Sequence, residues 1–300
     1  MIVKTFRVSK NQQQDETKNK YKLIDNQQFL LLPIGDVHYG APHFPQEKFV
    51  KHLKWGMEAG GYFLGMGDYM DFTSESQRKI VMPLREETKK FIDEMVMTKV
   101  REFLDIISFT KGRWLGFIEG HHYWIMENGL SSDQVLAREM ETDFLGVNCL
   151  LTILPPQNNK HMATASVGIY AHHGVGAYRT EGAHLNRLVD QLRTVNADVY
   201  IMGHTHAKMA DTFDVMERCP DGTLYRRNKT ILRTGGWLSA YDNVVDIKNM
   251  PSDATHDKYL TSYVERKAYP PSTLGAPAIA IAYEKIPGTE YWKPIIHSAI

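Results

Sequence analysis

The stretch FLLLPIGDVH, residues 29–38, sets the pattern by which the chain can be read. Phe29–Ile34 is a short, unbroken apolar run, as expected of a strand buried on both faces. It stops at Gly35-Asp36-Val37-His38, where polar groups suddenly replace apolar ones. Four more segments repeat the arrangement. Tyr62–Met66 runs into Gly67-Asp68, with Asp71 three residues on; Trp114–Ile118 runs into Gly120-His121-His122. Val167–Ala171 runs into His172-His173-Gly174, and Val199–Met202 into Gly203-His204-Thr205-His206. Helical spacing fills the gaps: Phe49, Leu53 and Met57 within 45–58, then a long helix over 86–108, one over 131–144 and one over 184–195. Ser131 with Gln134 predicts a capping box, and Gly146 a stop.

Strands alternating with helices give an α/β fold, and the strand-rich pattern beyond residue 210 makes its sheet mixed. No repeat or composition break divides the chain, so residues 1–300 read as one domain. Residues 1–28, polar in the middle, suggest a hairpin or arm; 210–300 suggests strands that complete a second sheet.

Composition excludes several function classes. Lys+Arg and Asp+Glu both number 35, so the basic excess of a nucleic-acid track is missing. Two cysteines, Cys149 and Cys219, cannot make a disulfide framework and fit buried thiols in a reducing cytoplasm. The N-terminus lacks the apolar core of a secretory signal. The apolar stretch Ala276–Tyr283 is too short for a membrane span. A soluble, cytoplasmic protein without a membrane partner is the expectation.

Groups that end neighbouring strands of an open α/β sheet gather in one crevice. Asp36 and His38, two apart in extended chain, point the same way and can grip one ion. Any one of these segments is weak by itself, since a Gly-Asp after a strand is commonly a turn and paired histidines are commonly surface residues. Together, imidazole and carboxylate ligands suit first-row transition metals. Two such ions about 3.5–4 Å apart clamp the oxygens of a phosphoryl displacement.

In their order, D-x-H, G-D-x-x-D, a Gly-His-His in place of G-N-H, His, and G-H-x-H, these segments resemble the calcineurin-like metallophosphoesterases over residues 35–206. The resemblance implies two mixed β-sheets in a sandwich flanked by helices, a four-layer αββα arrangement. It implies a first metal at Asp36, His38 and His206, Asp68 as bridge, and a second metal at His172 and His204. His173 is the alternative to His172, because some members place the ligand directly before a glycine. His122 occupies the place of the catalytic histidine, and Asp71 that of the acid that orients it.

The chain departs from the family at His121, where the family has an asparagine; a histidine nitrogen can replace the amide oxygen, or the ligand is lost. Tyr123 also replaces an acidic residue there. The implied cofactors are two divalent metal ions, manganese first, with zinc, iron, nickel or magnesium as alternatives. The implied activity is phosphoester hydrolysis by a metal-activated water, on a phosphodiester of a nucleotide or nucleic acid. A phosphomonoesterase and a non-catalytic metal-binding or interaction protein are the alternatives. Nothing in the sequence sets an oligomeric state.

Weaker candidates border these motifs. His43, Arg179 and His184 could touch substrate, Tyr39 and Phe72 could wall a pocket, and the basic run Arg218, Arg226, Arg227, Lys229 and Arg233 could face nucleic acid or form a solvated hairpin.

Overall fold

The computed structural model describes residues 1–9, 22–24, 29–41, 43–74, 77–79, 86–155, 160–176, 180–239, 271 and 273–300. Twelve strands among them form two mixed sheets. A seven-stranded sheet has the order β2 (Lys22–Ile24), β1 (Ile2–Ser9), β6 (Asn148–Leu154), β7 (Val167–His172), β8 (Val199–Met202), β10 (Leu224–Thr234), β9 (Lys208–Arg218). A five-stranded sheet runs β12 (Trp292–Ala299), β11 (Ala278–Lys285), β3 (Phe29–Ile34), β4 (Tyr62–Gly65), β5 (Trp114–Phe117). Helices α1 (Gln46–Glu58), α2 (Glu86–Ile107) and α3 (Ser132–Glu139) cover the outer face of the smaller sheet, and α4 (Glu181–Gln191) packs on the larger. None of the described helices is long and apolar enough to cross a membrane.

The four layers follow from alternation. In β3, Phe29 and Leu31 enter the core between the sheets, whereas Leu32 and Ile34 face the helices. Opposite them, Cys149, Leu151 and Ile153 of β6 and Val167, Ile169 and Ala171 of β7 fill the same inter-sheet core. Both faces are covered, so the strands read as continuous apolar runs. Pro33 is tolerated because the β11 ladder stops at Leu31, leaving no partner there that needs its missing N–H.

β3, β4 and β5 are mutually parallel, as are β7 and β8. Their carboxyl ends therefore present the Asp and His segments together.

Several expectations change. Of the hairpin or arm expected over 1–28, the described residues form no hairpin: β1 pairs in parallel with both β2 and β6, inside the larger sheet. The polar stretch 10–21 lies outside the described residues. The strands after residue 210 serve both sheets, β9 and β10 one and β11 and β12 the other. The helix expected over 131–144 ends at Glu139. Its capping box forms between Ser131 and Gln134, but Glu141 turns left-handed (φ 53°) before Gly146 is reached. Phe144 then bridges to Phe117 at the sheet edge. β6 has no counterpart in the sequence expectations, since Leu150 and Leu154 hide its alternation. Cys149 and Cys219 are buried free thiols.

The basic run on β10 is neither a solvated hairpin nor a nucleic-acid face throughout. Arg227, Lys229 and Arg233 are buried. Arg227 forms a two-point pair with Asp198, Nε to Oδ1 at 2.5 Å and Nη2 to Oδ2 at 2.7 Å, and also donates to the carbonyls of Thr164 and Ser166. Lys229 donates to Asn196 Oδ1 and Ala197 O. Removing one partner strands a buried charge. Asp198→Ala is expected to cost roughly 3–5 kcal/mol in urea denaturation, against the near-neutral effect of a surface ion-pair deletion.

Candidate metal centre

The site is assembled from strained loops. Six non-glycine residues among those described have a left-handed φ, and five are motif residues: Asp36 (50°), His38 (49°), Asp68 (51°), His204 (73°) and His206 (56°). Such a conformation costs roughly 1–2 kcal/mol for a residue with a side chain, so something must hold it. Cross-loop hydrogen bonds do. Val37 N and His38 N both donate to Asp68 O at 2.8 and 3.0 Å, and Asp36 N donates to Gly67 O. His204 N donates to the Asp36 carboxylate, 2.8 Å to Oδ2, and Trp237 N to Asp36 O. The glycines let these loops touch: a Cβ on Gly120 would lie 2.1 Å from Asp68 N, and one on Gly67 would lie 2.6 Å from Gly120 Cα.

The donors converge in groups that share residues. Asp68, His121, His173 and His204 each offer an atom within 4.8 Å of the others' atoms; so do Asp36, His38 and His206, and His38, Asp68 and His122. Asp68 links the sets. Its Oδ1 accepts the amides of His121 and His122, which leaves Oδ2 3.1 Å from His173 Nε2 and 3.8 Å from His38 Nε2.

Ring nitrogens also face one another, His121 Nδ1 to His204 Nδ1 at 3.1 Å and His38 Nε2 to His206 Nε2 at 3.2 Å. Ligands about 2.0–2.2 Å from a zinc-like ion stand a little over 3 Å apart, so these spacings suit shared cations. The buried His173 Nε2 faces Asp68 Oδ2 at 3.1 Å, inside the cluster. The cluster is suited to divalent metal ions.

Supporting contacts fix the rings. His173 Nδ1 lies 2.6 Å from Met66 O, which turns Nε2 inward. Asp71 Oδ1 stands between two imidazoles, 3.2 Å from His38 Nδ1 and 3.3 Å from His122 Nδ1. His122 Nδ1 also approaches Phe72 O at 3.3 Å.

Charge follows burial and pairing. Burial pushes Asp36 up to about 6. Burial also raises Asp68, but the charge of His173 and that residue's contact outweigh it and leave Asp68 well below the carboxylate range. His204 and His206 are pulled down to about 3 by burial, and His121 is lowered for the same reason. These rings are neutral at pH 7, as ligands must be. Burial opposes the charge on His173, yet Asp68 beside it lifts the ring to about 9. His122 is likewise raised, because Asp71 and Asp68 outweigh its burial.

Asp36, His38, Asp68, His121, His204 and His206 are thus brought together, with His122 on Asp71. His172 is not: the structure places His173 in the cluster instead. Val167, Ile169 and Ala171 point inward, so two-residue alternation carries His173 inward and His172 out to the face that Tyr170 occupies. The side chain at 121, far from leaving a gap, lies among the candidate ligands. Tyr39 packs on Phe44 and Phe103 and donates to Glu102, rather than walling the centre. His43 contributes its carbonyl to Ser239 N. Arg179 and the side chain of His184 lie outside the described residues.

Two supporting residues had escaped sequence reasoning. Arg78, 8% exposed, donates to the carbonyls of Thr73, His121 and Tyr123 at 2.7–2.8 Å and lies 3.8 Å over the Tyr123 ring. Asp133 is buried in the first turn of α3; its Oδ2 accepts Gly120 N, and burial pushes it up to about 7. No spacing rule links either residue to the motifs.

No family model and no curated protein matches this sequence. Similar solved structures include Vps29 complexed with zinc from Entamoeba histolytica, 13% identical over 90% of this chain and 99% of that one, with a TM-score of 0.33. A conserved protein of Streptococcus pneumoniae, described as a predicted phosphoesterase, is 8% identical over 90% and 98% (TM-score 0.30). The calcineurin-like phosphoesterase YfkN of Bacillus subtilis is 11% identical over 90% and 90% (TM-score 0.29). At such TM-scores the chemistry of the site rests on this chain's own residues.

The geometry yields two expected outcomes. His173→Ala should lower bound metal by one ion per chain in elemental analysis, whereas His172→Ala should not. Because His173 stays protonated up to about 9 without metal, loading at pH 7 must displace its proton. Calorimetry in buffers of different ionisation enthalpy should therefore report about one proton released per chain or more.

Proposed function

We propose that the chain is a calcineurin-like metallophosphoesterase, a cytoplasmic hydrolase that uses two divalent ions, manganese first among them, to cleave a phosphodiester in a nucleotide or nucleic acid. The observation that carries this is Asp68, shared between ligand groups with His122 next to it on Asp71. Asp36, His38 and His206 would hold one ion, His121, His173 and His204 the other, with Asp68 common to both. Ions bound there would supply Lewis acidity to phosphoryl oxygens and acidify water.

The chain's own groups account for the rest. Asp71 engages Nδ1 of His122, so Nε2 is the atom that delivers a proton to the departing oxygen. The raised basicity of His122 keeps that proton available near neutral pH. Asp71 also engages Nδ1 of His38, tying the proton donor to a candidate ligand through one carboxylate. A purely structural metal site would not need the Asp71–His122 pair, which favours catalysis over a non-catalytic role. The absence of net charge favours a small nucleotide or a local stretch of nucleic acid over a long duplex, whose phosphates require many cations.

Metal-stripped protein resupplied with manganese should hydrolyse bis-p-nitrophenyl phosphate in preference to p-nitrophenyl phosphate. The reverse preference would make it a phosphomonoesterase; turnover of neither with any of the five metals would sink the catalytic reading. His122→Ala should lower kcat by about 10²–10⁴-fold while both ions remain bound.

A further inference from the structure

The ligand groups that meet at Asp68 differ in their donors. Asp36, His38 and His206 bring two imidazoles and a carboxylate of their own. His121, His173 and His204 bring three imidazoles and no carboxylate besides Asp68. Counting Asp68 with each, one position offers two nitrogens and two oxygens, the other three nitrogens and one oxygen. The difference rests on residue 121, where the calcineurin-like family carries an asparagine and would supply an amide oxygen.

The His121 ring is held for this role. It stands edge-on to its two neighbours, its centroid 4.6 Å from that of His204 and 4.7 Å from that of His173, with interplanar angles of 83° and 86°. Its Nδ1 faces His204 Nδ1 at 3.1 Å. A hydrogen bond between those two rings would explain that spacing alone; it would not explain why donor atoms of His173 and Asp68 gather there as well, all within 4.8 Å of one another. Backbone fixes the ring from both sides. His121 N donates to Asp68 Oδ1, Arg78 Nη1 donates to His121 O, and Gly120 N is held by Asp133 Oδ2. His173 Nδ1 is engaged by Met66 O, which leaves Nε2 as the ligand atom.

Donor type decides which ion each position favours. Imidazole nitrogen suits zinc, which binds such sites more tightly than manganese and is commonly satisfied by four ligands. Manganese suits carboxylate-rich, octahedral surroundings. We propose that His121 makes the position formed with His173 and His204 selective for zinc, so that the centre is a mixed one, with zinc there and manganese at Asp36, His38 and His206. The proposal rests on the two-ion reading above and narrows it to one arrangement of ions.

The test supplies the metal-stripped chain with one equivalent of zinc and an excess of manganese, removes unbound ions, and reads the product by elemental analysis and by X-ray absorption at the zinc edge, where outer-shell scattering counts imidazole rings. About one zinc and one manganese per chain, with three imidazoles around the zinc, are expected. In His121→Asn, which restores an amide oxygen, the count should fall to two, and the zinc dissociation constant in competition with a chelator should rise at least about tenfold. Manganese retained at the other position in that variant reports that the centre still folds. His172→Ala, whose ring lies outside the cluster, should keep three imidazoles and the parent constant. Two imidazoles around zinc in the parent chain, manganese retained in both positions, or a smaller rise in His121→Asn would overturn the proposal. A mixed centre in a protein that hydrolyses neither phosphate ester would overturn the catalytic reading and leave the selectivity standing. Hydrolysis by a protein with two imidazoles around its zinc would do the reverse.

Discussion

The arrangement depends on the burial of one carboxylate. Asp68 is 2% exposed, at the point where the loops of both sheets meet. An isolated buried anion is prohibitively costly. Here two amides, from His121 and His122, satisfy Oδ1, and His173 and His38 crowd Oδ2. That requirement draws the β5 loop onto the β4 loop so closely that position 120 admits only glycine. It also brings His173, from the opposite sheet, across the top of the core. The left-handed backbone at Asp36, His38, Asp68, His204 and His206 is what such convergence costs. The inter-sheet core and the cross-loop hydrogen bonds offset it.

Support for the centre comes from buried polar groups that never reach it. Arg78 ties the carbonyls of Thr73, His121 and Tyr123 into one unit beneath the histidine pair. Asp133 holds Gly120 from behind. Arg233 donates to Gly203 O and Thr205 Oγ1, under the loop that carries His204 and His206. Each fixes backbone, and backbone fixes the rings. A site with ligands from five strand ends needs this, because a metal-binding constellation must be held to within about 0.5 Å. The same strand end carries His173 toward the cluster and His172 toward the opposite, helix-covered face.

Much of the fold was legible because local chemistry and tertiary environment agree. Runs such as FLLLPI and VYIM are apolar on both faces, and both faces are covered. Helices α1 and α2 followed their apolar period to within two residues. Where several strands could pair in more than one way, the sequence was silent. A polar connection suggested a hairpin, yet β1 lies parallel to β2 and β6, since parallel or antiparallel pairing depends on a crossover that local pattern does not encode. Arg227, Lys229 and Arg233 of β10 looked solvated because a buried cation is recognisable only once Asp198 and the other groups that receive it are in place.

The sequence by itself determined that Asp and His residues end successive strands, and so that a metal-binding crevice could form. Order along the chain and residue chemistry suffice for that. Only the tertiary structure decided between His172 and His173. Both follow a strand with apolar residues on each face, Ala171 inward and Tyr170 outward, so alternation separates the two histidines without saying which face holds the centre. The second sheet settles it: packing Val167, Ile169 and Ala171 against β3 and β4 turns His173 toward Asp68, and leaves His172 to the helix side.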